Sequence, residues 1–310
     1  GYPIRGLTNK SSTFDYKLGE PVKRVFRLPE AAKAGDSFDY WADAGCNDLF
    51  GELKENGTLK QADIALCNEG IRCIYYDFEF LINLMNGLPE EDQLHKRIET
   101  VLEGISSSLA NLSAATLTSA SGILRDFLEQ QPPRDELLIS AIGHSHLDLA
   151  WLWPIRETRR KIGRTLSTVF ELMERYPDYI YGCSQPQLLA WVKEDYPDLY
   201  RRFKQKVTEG RIEIQGAMWV ESDTNMPTGE SLVRQIIVGK RFWKEEFNIE
   251  IDNLWLPDVF GYSGALPQIL KQTGIKYFST MKLSWNTINK FPFFSFHWKG
   301  IDGSTVLAHM

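Results

Sequence analysis

An α/β fold built on a mostly parallel sheet is predicted for residues 136–310, and two observations predict it. Apolar stretches of strand length alternate with amphipathic stretches of helix length across short connections, the pattern of repeated βα units. Polar residues able to carry chemistry then fall just past the strands: His146, Asp148, Gln185, Glu221, Asp258 and Lys282. A (β/α) barrel and an open doubly wound sheet both build sites at that carboxyl-terminal rim, so either architecture satisfies the pattern.

Residues 1–74 read as a β-rich segment. Residues 22–28 and 71–75 alternate as strands do, and Asn56-Gly57 is a turn signal. Residues 75–135 read as helical. Phe78, Leu81, Ile82 and Met85 recur at helical spacing, a second stripe runs through Ile98, Val101, Leu102 and Ile105, and Leu124, Phe127 and Leu128 resume it. The Ser/Ala/Thr-rich stretch at 106–120 fits neither period, and Gln130-Gln131-Pro132-Pro133-Arg134-Asp135 is the clearest linker.

From residue 136 the order is strand 137–143, helix 157–175 and strand 180–184. A helix over 187–209 follows, interrupted at Pro197, then strand 211–216 and helix 229–247. A strand over 254–257, a short helix ending at Gly274, a strand over 276–280 and a β-like tail over 293–298 complete the chain.

The densest chemistry lies in His144-Ser145-His146-Leu147-Asp148-Leu149-Ala150-Trp151, directly after the apolar run 137–143. Residues i and i+2 of an extended segment point to one side, so His144, His146 and Asp148 can converge. Imidazole and carboxylate donors of that kind suit a borderline divalent metal such as zinc. Asp258, framed by Pro257 and Gly261, reads as a third ligand, a catalytic carboxylate or a helix cap. Trp151 either floors a sugar pocket or packs with Trp153. His95, His297 and His309 lack metal-site spacing and read as structural.

The 310 residues are 43% hydrophobic and 25% charged, enough apolar material for a sizeable core. A net charge of -6 argues against nucleic-acid or anionic-membrane partners. No apolar run approaches the ~18 residues of a membrane span, and the start lacks a signal-peptide core. The four cysteines (Cys46, Cys67, Cys73, Cys183) have no metal or redox spacing, which fits a reducing, cytoplasmic setting.

The motif from Gly143 through Pro154 resembles the metal motif of glycoside hydrolase family 38 α-mannosidases, in their cytosolic/vacuolar and bacterial branch. So do Cys183-Ser184-Gln185-Pro186-Gln187, Trp219-Val220-Glu221, residues 255–263, Lys282-Leu283-Ser284-Trp285-Asn286 and residues 298–304. The likeness is strong over 137–310 and weaker over 40–136. It implies a truncated (β/α)7-type barrel over 136–310, incomplete at its C-terminal end. A β-rich segment of an N-terminal sandwich (1–74) and a helical linker (75–135) would precede it.

The resemblance further implies a retaining α-mannosidase acting on mannose-containing oligosaccharides with a divalent metal, zinc or cobalt, and a homo-oligomer in the parent protein. His146, Asp148 and Asp258 would be ligands, Asp258 also the nucleophile, and His144 would sit behind them. Trp151 would stack under the mannose, with Phe260 nearby and Lys282 beside the nucleophile. The family's fourth ligand, a His, and its acid/base carboxylate fall beyond position 310. The chain is therefore expected to be a fragment, inactive by itself. A metal-dependent polysaccharide deacetylase and a non-catalytic fragment are the alternatives.

Overall fold

The computed structural model describes residues 32–37, 64, 66, 68–130 and 140–310. The expected strand at 22–28, the turn at 56–57, most of the linker and the first residues of the strand at 137–143 lie outside the described residues. The described chain divides into two compact units, one within Thr58–Ser140 and one within Ala141–Met310, with which the described residues 32–37 group.

The first unit holds three helices, α1 (Glu69–Asn86), α2 (Gln93–Ser108) and α3 (Ala114–Glu129). Each begins where a short polar side chain takes an orphan backbone N–H: Asn68 accepts from Ile71, Asp92 from Leu94 and Ser113 from Thr116. Their apolar stripes meet in a core of Ile74, Leu81, Ile98, Leu102, Ile105, Ala120, Leu124 and Phe127. The strand expected at 71–75 is instead the start of α1. Ile74 continues the stripe of Phe78, Leu81 and Met85 one turn upstream, whereas Ile71 and Tyr75, which suggested alternation, are exposed. The ambiguous stretch at 106–120 contains the end of α2, a turn and the start of α3.

The second unit alternates as expected. In order it holds β1 (Gly143–His144), α4 (Ile155–Arg175), β2 (Tyr181–Cys183), α5 (Pro186–Asp195), α6 (Pro197–Thr208), β3 (Ile212–Ile214) and α7 (Gly229–Phe247). Then follow β4 (Asn253–Trp255), α8 (Leu266–Gln272), β5 (Tyr277–Ser279), a 3-10 turn (Lys282–Trp285), β6 (Ser295–Lys299) and β7 (Thr305–His309). Pro197 divides the predicted long helix by opening α6, since it cannot donate to the preceding turn. Gly274, at φ 78, follows α8 in the left-handed conformation that ends helices.

The architecture is mixed α/β, but the strands do not close into a barrel among the described residues. They form a parallel sheet ordered β1-β2-β3 and a second sheet ordered β4-β5-β7-β6, in which only β6 runs antiparallel. A backbone bond from Ala217 N–H to Asn253 O, 3.0 Å, links the chain just past β3 to β4. The apolar run expected as a buried strand supplies only the two-residue β1. It has one partner strand, and Ile142 before it is 50% exposed because that position is a sheet edge.

Helices cover the sheets through a core that includes Leu166 and Phe170 of α4, Leu189 of α5, Phe203 of α6, Ile236 and Trp243 of α7 and Leu254 of β4. One contact matters for the site. At Gly239 of α7, a Cβ would lie 2.0 Å from Ala217 O, so glycine lets the helix backbone press on the segment leading out of β3. The Trp243 indole N–H fixes the same segment by donating to Gly216 O, 2.9 Å, and Gln235 binds the backbone of Trp219 and Val220.

Candidate metal centre

His146 and Asp148 leave β1 on an extended stretch whose side chains alternate. Leu147 and Leu149 pack on the core, which turns the imidazole and the carboxylate to the opposite side. The stretch is pinned from α4, where the buried Thr158 hydroxyl donates to Leu149 O at 2.6 Å. Asp258 follows β4 between Leu256 and Val259, both buried. Leu256 is tied to β5 by its N–H on Ser279 O, and Tyr262 donates its hydroxyl to Leu256 O, 3.2 Å.

These elements bring three donors together. His146 Nε2 lies 3.2 Å from Asp148 Oδ1 and 3.4 Å from Asp258 Oδ2. One ligand atom from each residue falls within 4.8 Å of the other two. On the far side of the ring, Nδ1 lies 2.7 Å from Oε2 of Glu221, whose side chain is 5% exposed; the two pair by charge without an aligned hydrogen bond. Ser184 Oγ donates to the other Glu221 oxygen at 2.6 Å. Lys282, whose side chain is 6% exposed, forms an ion pair with Asp258 Oδ1. Its ammonium also lies 3.2 Å from the Trp285 ring centre and 4.6 Å from that of Phe260.

Three carboxylates therefore surround one imidazole. Burial alone would lower the His146 pKa, but Glu221 and Asp148 outweigh it and push it up to about 9. A proton on His146 thus supplies positive charge where the acidic groups converge. A divalent cation would supply more, and the nitrogen-plus-carboxylate donor set suits a borderline divalent metal. Two observations make the residues fit such an ion: Nε2 faces two carboxylates, and Glu221 occupies the position beyond Nδ1 that a ligand histidine's carboxylate partner takes.

The sequence-predicted residues divide clearly. His146, Asp148, Asp258 and Lys282 come together. His144 does not join them; its ring packs on Trp255 with centres 5.3 Å apart, so the three-donor convergence expected from one stretch is replaced by two donors from the stretch after β1 and Asp258 from the segment after β4. Trp151 is 55% exposed and meets Trp153 edge-on, and Phe260 is 78% exposed. His309 bonds Ser295 across the β6–β7 pair, as a structural histidine does. Glu221 and Gln185 were legible only as rim residues. Their contacts with the His146 stretch join parts of the chain more than 35 positions apart, and no local spacing encodes them.

A hollow of about 330 Å³ lies against the second sheet, lined by residues including Gln215, Asn253, Trp255, Tyr277 and Ser279; none of the three clustered donors lines it.

Residues 136–310 match the glycosyl hydrolases family 38 N-terminal domain. The whole chain is 36% identical to alpha-mannosidase 2C1 of Mus musculus, covering 30% of that protein. It is 35% identical to alpha-mannosidase G of Dictyostelium discoideum over 94% of this chain and 28% of that one. It is also 35% identical to an alpha-mannosidase of Saccharomyces cerevisiae over 87% of this chain and 27% of the relative. The chain thus spans 30% or less of the length of these curated relatives.

Proposed function

Because the chain belongs to glycosyl hydrolase family 38, we propose that it carries the nucleophile and metal ligands of a retaining α-mannosidase acting on mannose-containing oligosaccharides. The convergence of His146, Asp148 and Asp258 supports this reading most directly. The same proposal includes zinc or cobalt as the ion, a cytoplasmic setting in which Cys73 and Cys183 are free thiols, and a (β/α)7-type wall of which the two sheets are arcs. The Ala217–Asn253 bond and the parallel pairing of every strand but β6 support that last point.

The residues divide the work as follows. Lys282 holds Asp258 Oδ1, which leaves Oδ2 on the side of His146 and Asp148. The Asp258 carboxylate attacks the anomeric carbon; the carbon–oxygen bond to the enzyme forms as the glycosidic bond breaks, and the leaving oxygen takes a proton from the enzyme's acid. Water then gives a proton back to that acid's conjugate base as it attacks the same carbon, the ester bond breaks, and two inversions give net retention. The exposed rings of Trp151 and Phe260 offer apolar faces for the sugar. A divalent ion held by His146, Asp148 and Asp258 supplies Lewis-acid stabilisation and a template for sugar hydroxyls when bound.

The test is the anomeric configuration of the first product, read by NMR on the full-length protein with an α-mannoside. α-Mannose is expected, and β-mannose as first product would contradict the covalent route. Release of acetate from an acetylated glycan with no glycosidic cleavage would favour a deacetylase instead.

A further inference from the structure

Among the described residues only two non-glycine residues have positive φ, Gln185 at 62° and Asn248 at 57°. Asn248 ends α7, where a left-handed asparagine is ordinary. Gln185 has no such excuse. It precedes α5 at φ 62, ψ 84 and is 3% exposed, and its side chain makes no bond to the helix it precedes. Helix α5 needs none from it: Pro186 has no N–H, and Gln187 N–H is taken by Trp219 O at 3.2 Å. A left-handed glutamine in a buried position is strained and needs compensation from its surroundings.

The compensation lies in what the side chain joins. Gln185 Nε2 donates to Leu147 O at 3.0 Å, the carbonyl between the two ligands His146 and Asp148. Gln185 Oε1 accepts the backbone N–H of Glu221 at 3.2 Å. Its neighbour Ser184 holds the Glu221 carboxylate that faces His146 Nδ1. Two further bonds lock the same pair of segments, Gln187 N–H to Trp219 O and the Trp219 indole N–H to Gln187 Oε1 at 3.0 Å. The stretches Ser184-Gln185-Pro186-Gln187 and Trp219-Val220-Glu221 therefore interlock behind the donors without supplying one of them.

We infer that Gln185 is a positioning residue for the metal centre, a two-ended amide clamp that sets the spacing between the His146–Asp148 backbone and the Glu221 that orients His146. The inference rests on the metal reading proposed above. Loss of such an outer partner typically weakens metal binding by about 10–100-fold.

The test measures Co2+ affinity of the full-length protein by competition with a chromogenic chelator, with the visible Co2+ spectrum as a reporter of ligand geometry. Gln185→Met keeps the side-chain length and removes both bonds; Gln185→Gly removes them and relaxes the backbone. Phe203→Leu, in the core of α6, serves as a destabilised control, and all are read at a temperature where they are folded. The clamp predicts weakening of about 10–100-fold and an altered spectrum in whichever Gln185 variant folds, with the control unchanged. Wild-type affinity and spectrum in a folded Gln185 variant would overturn it, as would equal weakening in the control. Wild-type protein that binds no Co2+, or binds it equally after His146→Ala, would sink the metal reading itself.

Discussion

At the residue scale, each Asp258 oxygen has its own partner, Lys282 on one side and His146 on the other. Asp258→Asn keeps the shape but removes the charge, and if Asp258 is the nucleophile proposed above a fall of about 10³-fold or more in kcat for mannoside hydrolysis is expected, of the size seen when a covalent nucleophile is lost. Retention of more than a tenth of the activity would be inconsistent with Asp258 as the attacking group. A second residue gives a prediction that needs neither metal nor substrate. Cys183 is buried, and burial followed by the charge of Glu221 pushes its thiol from 9.0 to about 12. At pH 8 it stays protonated and enclosed, so iodoacetamide should modify Cys73 but not Cys183 in the native protein, as peptide mass mapping would show. The raised value also sets a sign. Between about pH 9 and 12 the unfolded chain releases this proton first, so the thiol's contribution to stability declines as pH rises. The motif at 144–151 was legible because two-residue alternation separates donors from leucines. The spacing alone did not exclude His144, which only the family resemblance set behind the donors, because Trp255, more than a hundred positions away, takes its ring.

At the element scale, α7 holds the loop that carries Glu221. Gly239→Ala would set a methyl against the Ala217 carbonyl, which no side-chain rotation can relieve. A loss of about 1–3 kcal/mol in urea unfolding is expected, together with weaker metal binding as the loop shifts. Unchanged stability would mean that the helix does not press on the loop. Helices were the most readable elements, since α4, α6 and α7 carry long apolar stripes. The error at 71–75 has a plain cause. A five-residue window with Ile71, Cys73 and Tyr75 satisfies the strand period, while the helical period becomes visible only when Ile74 is set against Phe78 and Leu81. The strands were short in outcome, two to five residues, because the ladders extend only where neighbouring strands are in register.

At the scale of the whole molecule, the alternation of strands and helices from 136 onward was legible, and the closure of the sheet was not. Closure depends on which strands pair, and no strand records its neighbours. No helix among the described residues is long and apolar enough to cross a membrane. An ion bound only by the folded chain stabilises all of it by mass action, about 2.7 kcal/mol at 100 times the dissociation constant. Zinc or cobalt should therefore raise the thermal midpoint, chelation should reverse the rise, and His146→Ala should abolish it. A midpoint indifferent to metal would count against a site formed on folding.

The most direct measurement of the central claim is covalent trapping of the full-length protein with a fluorinated mannosyl probe that forms the ester but releases it slowly. The account predicts one mannosyl adduct, on the peptide carrying Asp258, absent in Asp258→Asn. Active protein that forms no adduct there, or carries it on another carboxylate, would contradict the assignment.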